Sequence, residues 1–136
     1  MAKNLKHIKK IEEIVGADHI STSDDELSTY RFAGHASGGN PLAIVRPAGT
    51  RQVMDLIRLS RTHGYNLIFT SSTPPKYRGD SIPNGDGIII DMSMMKKIVR
   101  MDGRNKVAII EPGVTFSELI EEADKVNLNP SSWSVK

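Results

Sequence analysis

Short apolar runs separated by polar stretches predict three helices and five strands along the chain. The first series has the three- and four-residue spacing of an amphipathic helix over 4–15 and consists of Leu5, Ile8, Ile11, Ile14 and Val15. Gly16 follows as a predicted helix stop. The lysines fall largely on the other side, so residues 1–19 are predicted to form an N-terminal amphipathic helix with a solvated face. The alternative is a helix that binds a membrane surface or an acidic partner.

The pattern of apolar residues in the middle of the chain predicts a β-α-β unit. A strand over 42–45 precedes a helix over 50–62 that Thr50 is expected to cap, and a second strand follows over 67–69. Because a crossover helix returns the chain to the same end of a sheet, we predict that these two strands are parallel neighbours. The segment 32–41, which precedes the unit, is rich in glycine and polar residues and is predicted to be a loop.

A long proline-containing segment divides this unit from the strands that follow it. Residues 70–86 carry three prolines and two glycines, and loops of this length are usually functional or mobile. Since 71–78 lacks apolar anchors, we expect it to be the most mobile or most ligand-dependent internal segment. Beyond the loop we predict an apolar strand over 87–91 and then a hairpin with strands over 97–102 and 106–111.

The last predicted helix, over 116–125, has the clearest start signal in the chain. Thr115 and Glu118 have the spacing of a capping box, in which each side chain accepts a hydrogen bond from the backbone of the other residue. Residues 129–136 show no clear pattern and are predicted to be an irregular tail. The whole chain, 1–136, is therefore predicted to be a single α+β domain, a β-α-β unit followed by mixed strands and a C-terminal helix.

Composition excludes several classes of function. The hydrophobic fraction of 38% and the net charge of +2 are ordinary for a globular protein. The sequence has no basic stripe with neighbouring aromatic residues, the pattern typical of nucleic-acid-binding proteins. Without cysteine the chain has no disulfide and no thiolate ligand, and His7, His19 and His63 lack metal-ligand spacing, so we expect no metal site. No apolar run approaches the ~20 residues of a membrane span, and no signal peptide is evident. We expect a cytoplasmic protein that does not bind membranes.

Three motifs, in order, resemble those of one family. The segment 41–47 reads PLAIVRP, 87–95 reads GIIIDMSMM and 111–119 reads EPGVTFSEL. Together they resemble the FAD-linked oxidases, which include the vanillyl-alcohol oxidases, the cresol dehydrogenases and the glycolate-oxidase-type dehydrogenases. The resemblance implies that the chain is the N-terminal portion of an FAD-binding domain.

The resemblance also implies which residues contact the cofactor. In such proteins the loop after the second strand wraps the FAD pyrophosphate through backbone N–H groups, and the proline-glycine turn before the last helix lies near the adenine. In this sequence the implied cofactor-binding residues are Thr70, Ser71, Ser72, Thr73, Lys76, Tyr77, Arg78, Gly79, Pro112, Gly113 and Val114. The loop departs from the family pattern, because Ser71, Ser72 and Thr73 replace glycines and two prolines follow. The alternative is a surface loop whose cofactor role has been lost.

No catalytic residue is expected in this chain. In the family the second part of the flavin site and the substrate domain come later, so the chain is expected to hold the ADP half of FAD and not to be catalytic on its own. Two alternatives from other classes stay open. One is a cofactor-free interaction module that keeps the fold, and the other is a small nucleotide- or anion-binding protein.

A partial flavin domain is also expected to expose apolar surface and an unpaired strand edge. We therefore expect a homodimer or a complementary subunit that carries the rest of the flavin domain. The contact is expected at 92–95, which is rich in methionine, and around Trp133. The alternative is that the tail folds back and Trp133 covers the sheet within one chain.

Overall fold

A computed structural model of the chain describes residues 2–30, 32–33, 36–37, 40–71 and 86–128. The chain forms two compact units, Met1–Met94 and Met95–Lys136. The elements of the first unit are α1 (Ala2–Val15), β1 (Ile20–Ser21), α2 (Asp24–Ser28), β2 (Phe32–Ala33), β3 (Ala36–Ser37), β4 (Pro41–Val45), α3 (Thr50–His63), β5 (Asn66–Thr70) and β6 (Gly87–Asp91). The second unit contains β7 (Ile98–Asp102), β8 (Val107–Ile110) and α4 (Phe116–Asp124).

The main sheet of the first unit has the strand order β1-β4-β6-β5. β4 and β5 each pair parallel to β6, whereas β1 is antiparallel to β4. The predicted parallel direction of β4 and β5 is confirmed, but the prediction that they are neighbours is wrong, because β6 lies between them. The strand order follows from how deeply each strand is buried. All five residues of β6 are buried, which suits a central strand, while Asn66 and Phe69 of β5 are exposed and suit an edge.

The sheet buries apolar side chains on both faces. Since successive residues of a strand point to opposite faces, Val45 and Ile90 pack on one face and Ile44 and Ile89 on the other. The first face is covered by α1 and α3, which contribute Ile11, Val15 and Leu56. The second face is covered by Leu27 of α2 and by Tyr30.

Left-handed glycines end the two long helices of this unit. Gly16 after α1 has φ 89°, and Gly64 after α3 has φ 71°, a backbone region in which other residues are strained. The predicted stop at Gly16 is confirmed. The predicted cap at Thr50 is wrong, because Thr50 is already the first helical residue and Gly49 occupies the cap position.

The side chain of Gln52 forms hydrogen bonds on both sides of the junction between α1 and α3. Its Oε1 accepts a hydrogen bond from the Ala48 N–H (2.7 Å), and its Nε2 donates to the carbonyl of Ile14 (3.1 Å). One side chain thus ties the start of α3 to the end of α1.

Three strands were not predicted from the sequence. β1 forms two pairs with β4, and β2 and β3 form a short antiparallel hairpin inside the segment 32–41 that was predicted to be a loop. Each of these strands has two residues, which is too short for an alternating pattern to be recognised.

The second unit contains the predicted hairpin and the predicted helix. β7 and β8 pair antiparallel, and α4 begins at Thr115 with both hydrogen bonds of the capping box. Several large apolar side chains are exposed here, among them Val99, Val107, Ile109 and Phe116. Within the described part of the chain, no helix combines the length and the apolar character needed to cross a bilayer.

Candidate functional site

The carboxyl ends of β4, β6 and β5 meet at one edge of the sheet. Thr70 is paired with Asp91 in the parallel register, and Val45 is paired with Ile90, so Arg46 follows β4 beside Asp91. In sheets of this kind ligands bind outside the carboxyl ends of the strands. We call Arg46, Thr70 and Asp91 the carboxyl edge.

All three side chains of the carboxyl edge belong to the same face of the sheet. Strand alternation places Arg46 in phase with Ile44, Asp91 with Ile89, and Thr70 with Ile68. That face is the one packed by Leu27 and Tyr30. Polar groups are therefore concentrated where the apolar core of this face ends.

The guanidinium of Arg46 bridges two carboxylates at this edge. Its Nε lies 3.5 Å from Oδ2 of Asp91, and its Nη2 donates to Oε2 of Glu26 at 3.1 Å. Asp91 is only 3% exposed, and its Oδ1 accepts a hydrogen bond from the Ser93 N–H at 3.0 Å. A buried carboxylate is costly unless it is paired and hydrogen-bonded, and both conditions are met here.

The charges at this edge shift the pKa values of two neighbouring groups. The hydrogen bond from Arg46, followed by one from Ser21, lowers the pKa of Glu26 below its ordinary value of 4.5. Burial, followed by the negative charge of Asp91, raises the pKa of Tyr30 to about 12. At neutral pH Glu26 is therefore ionised and Tyr30 is neutral.

The loop implied as the pyrophosphate site starts at the carboxyl edge. Thr70 is the buried last residue of β5, and Ser71, which is exposed, is the first residue beyond the strand. The other loop residues named from the sequence lie outside the described residues; they are Ser72, Thr73, Lys76, Tyr77, Arg78 and Gly79.

The turn at Pro112, Gly113 and Val114 belongs to the second unit, and its backbone donors are engaged within that unit. The Gly113 N–H donates to the carbonyl of Met95 at 2.8 Å, and the Val114 N–H donates to the carbonyl of Glu111 at 3.2 Å. The next donor, the Thr115 N–H, is bound by the Glu118 carboxylate at 2.7 Å. This turn therefore has a structural role at the start of α4, and these N–H groups are not available to a phosphate.

The carboxyl edge combines groups that an anionic ligand can use with two carboxylates that oppose it. A diphosphate requires N–H and hydroxyl donors with a nearby positive charge, and this edge offers exposed Ser71 and the guanidinium of Arg46. The carboxylates of Glu26 and Asp91, both paired with that guanidinium, oppose an anion. α3 also begins a few residues beyond β4, its first turn has no acidic residue and includes Arg51, and the positive end of a helix dipole favours anions.

Two histidines that are far apart in the sequence are brought together in the structure. The rings of His7 and His63 have centroids 4.4 Å apart, and the ring of Tyr65 lies 5.1 Å from that of His7. No group of three or more potential metal ligands occurs among the residues that the structure describes. These rings pack α1 against α3.

The three parallel strands of the main sheet, with polar and charged side chains beyond their carboxyl ends, have the arrangement at which nucleotides bind in many α/β domains. Residues 41–133 match the family described as FAD binding domain, and this chain belongs to that family. The resemblance drawn from the three sequence motifs is therefore confirmed, as is the α+β fold of a partial FAD-binding domain. The family and its flavoprotein relatives support FAD as the possible cofactor.

Several known proteins, among them a flavoprotein subunit, are similar to the chain over most of its length. The flavoprotein subunit of 4-cresol dehydrogenase (hydroxylating) from Pseudomonas putida is 29% identical over 132 residues, which are 90% of this chain and 24% of that protein. The 1'-carboxy-chondrochloren decarboxylase from Chondromyces crocatus is 28% identical over 79% of this chain and 20% of that protein. The solved structure of p-cresol methylhydroxylase with substrate bound superposes with a TM-score of 0.76 and 25% identity, over 90% of this chain and 25% of that one. The chain thus spans about a quarter or less of the length of these relatives.

Sequence reasoning missed the ion pairs of the carboxyl edge. Arg46 and Asp91 both lie within the quoted motifs PLAIVRP and GIIIDMSMM, each directly at the end of an apolar strand. A charged residue at that position in two parallel strands was the available signal. Glu26 and Tyr30, which join the same cluster, had no such signal.

Proposed function

We propose that this chain binds the ADP half of FAD as part of a flavin-dependent oxidoreductase and is not catalytic on its own. The observation that carries the proposal is the carboxyl edge, where Arg46 and Ser71 stand beside the start of the implied pyrophosphate loop. Membership of the FAD binding domain family supports the identity of the ligand. The chain aligns with only 20% and 24% of the length of two relatives, which supports a role in binding part of FAD rather than all of it.

The chemistry of FAD determines what the protein has to contribute. When bound, FAD supplies the redox chemistry, and the protein supplies position and electrostatics. In this proposal the residues from Thr70 to Gly79 hold the diphosphate through backbone N–H groups and hydroxyls, while Lys76 and Arg78 offset its charge. No residue of this chain is proposed as an acid, a base or a nucleophile.

Titration with FAD, ADP and FMN tests the proposal. We expect FAD to bind with a change in flavin fluorescence and ADP to compete for the same site. FMN lacks the AMP part of FAD, which is the adenosine and one of the two phosphates, and is expected to bind at least about tenfold more weakly, which corresponds to ~1.4 kcal/mol. A protein that stays colourless with added FAD would instead indicate a cofactor-free interaction module. Tight binding of ADP that FAD does not displace would indicate a small nucleotide- or anion-binding protein.

Replacing the two loop cations tests which segment holds the diphosphate. The double variant K76A/R78A is expected to weaken FAD and ADP about tenfold or more, because two charge-assisted contacts are lost. The matched control is K9A/R58A, which removes the same two charges from exposed helix positions and is expected to leave both affinities unchanged. Unaltered binding by K76A/R78A would remove this loop from the site.

We further propose that the chain associates with a second copy of itself or with a subunit that carries the rest of the flavin domain. Exposed apolar side chains on β8 and α4 support such a contact, since large exposed apolar patches mark interaction surfaces. In the methionine-rich segment Met92 packs against the core and Met95 is buried, so Met94 is the member that is exposed. Trp133 lies outside the described residues. A cytoplasmic location remains part of this proposal.

A further inference from the structure

The carboxylate of Asp91 stands where a diphosphate is least expected to tolerate it. Asp91 ends the central strand and is paired with Thr70, after which the implied pyrophosphate loop begins. It is 3% exposed, so water screens its charge only weakly. An anionic cofactor bound at this edge would be repelled unless another group offsets that charge.

Arg46 is positioned to offset the charge of Asp91. Its Nε is 3.5 Å from Oδ2 of Asp91, and its Nη2 lies 3.1 Å from Oε2 of Glu26. The Arg46 side chain is 30% exposed, so it is accessible from solvent at the same edge. With both carboxylates ionised, the cluster of Glu26, Arg46 and Asp91 has one net negative charge, and without Arg46 it has two.

We propose that Arg46 is a positioning residue for the anionic cofactor: it neutralises buried Asp91 and thereby allows a diphosphate to bind at the carboxyl edge. This inference rests on the proposed FAD-binding function. It predicts that the effect of Arg46 on ligand affinity depends on Asp91 and is confined to ligands with phosphate groups. A residue that merely supported the fold would affect all ligands alike.

A double-mutant cycle with R46Q, D91N and R46Q/D91N tests this dependence. Affinities for FAD, ADP and uncharged adenosine are measured by fluorescence or calorimetry, and urea unfolding confirms that each variant is folded. We expect R46Q to weaken FAD and ADP about tenfold or more and adenosine less than about twofold. D91N is expected to bind FAD and ADP as well as or better than the unaltered chain. The double variant restores one net negative charge and is expected to recover most of the affinity.

A charge-conserving variant and a control cycle complete the test. R46K preserves the charge and is expected to bind ADP within about threefold of the unaltered chain. It also provides the comparison if R46Q does not fold. The variants R58Q, D55N and R58Q/D55N repeat the cycle on an ion pair of 2.8 Å on the exposed surface of α3, where no coupling to ligand affinity is expected.

The outcomes separate this inference from the function on which it rests. If the unaltered chain binds neither FAD nor ADP, the proposed function is wrong and the role of Arg46 falls with it. If the unaltered chain binds both, and R46Q/D91N binds as weakly as R46Q, only the role of Arg46 is overturned. An equal loss of adenosine and ADP affinity in R46Q overturns it as well.

Discussion

Tyr30 shows how the polar edge acts on a single residue. Its side chain is 2% exposed and packs with Leu27, Ile44 and Ile89, while the charge of Asp91 lies near enough to disfavour a phenolate. The pKa of Tyr30 is therefore about 12 in the folded chain, against 10.0 ordinarily. An acid whose pKa is raised on folding stabilises the fold below the unfolded pKa and loses that contribution as pH rises.

We predict that this contribution of Tyr30 is complete below pH 10 and is lost as the pH rises from 10 towards 12. In a titration of tyrosinate absorbance, the late step at about pH 12 belongs to Tyr30 and should be absent from Y30F. Burial raises the pKa of Tyr65 as well, so a variant of that residue is needed to separate the two phenols. The control is Y65F, in which the late step should persist. A late step that survives in Y30F would contradict the assignment.

For individual residues, the sequence predicted some members of the candidate site but not the ion pairs beside them. Thr70 and Ser71 were placed at the site through the family motif, and the structure puts them at the carboxyl edge. The contact between Arg46 and Asp91 joins residues 45 positions apart (91 − 46) and exists only because β4 and β6 are adjacent. A local pattern contains no information about strand order, so the ion pair had to come from the structure.

Helix α4 is stabilised at its first turn by hydrogen bonds between Thr115 and Glu118. The Glu118 N–H donates to Oγ1 of Thr115 at 3.2 Å, and the Glu118 carboxylate accepts from the Thr115 N–H and hydroxyl. These bonds lower the pKa of Glu118, with the backbone bond from Thr115 as the largest cause. The box thus satisfies donors that the helix itself leaves open.

We predict that T115A destabilises the chain by about 1 kcal/mol, the typical cost of losing a capping side chain. T115S retains a hydroxyl, and its free energy of unfolding is expected to fall by only a few tenths of a kcal/mol. S117A, in the same turn and exposed, serves as the control and should be nearly neutral. Urea unfolding of the four proteins checks the order, and a T115A midpoint equal to that of S117A would falsify the role of the cap.

Most elements were predictable because their signals are local. The apolar spacing of α1 and α3, the capping box of α4 and the apolar run of β6 are each visible within about a dozen residues. The errors have physical causes of two kinds. The two-residue strands β1, β2 and β3 are fixed by pairing rather than pattern, and the central place of β6 is fixed by burial of the assembled sheet.

At the scale of the whole molecule, we predict self-association of the isolated chain. Ile109 is 48% exposed and Phe116 is 65% exposed, so contact with another chain would remove apolar surface from water. Sedimentation at several concentrations is expected to show a mass that rises with concentration. I109K should reduce the association while the unfolding transition is kept.

The control for this prediction is S117K, which adds the same charge at an exposed polar position of α4. It is expected to associate like the unaltered chain. A strictly monomeric mass across the concentration range, with Trp133 shielded from a fluorescence quencher, would support the tail as the cover instead.

The central position of β6 has a consequence for the order of folding. β4 and β5 have no pairing with each other, and β6 is the last of the four strands of the sheet in chain order. During synthesis β5 therefore emerges before β6, the strand with which it pairs among the described residues, and this pairing cannot form until residues 87–91 have left the ribosome. Such non-local pairing is intrinsically slow, because the two ends of the intervening loop must meet before any strand contact is gained. A nascent chain halted before residue 87 would thus contain β4 and β5 without the strand that joins them, and unpaired strand edges of this kind promote the aggregation that chaperones prevent.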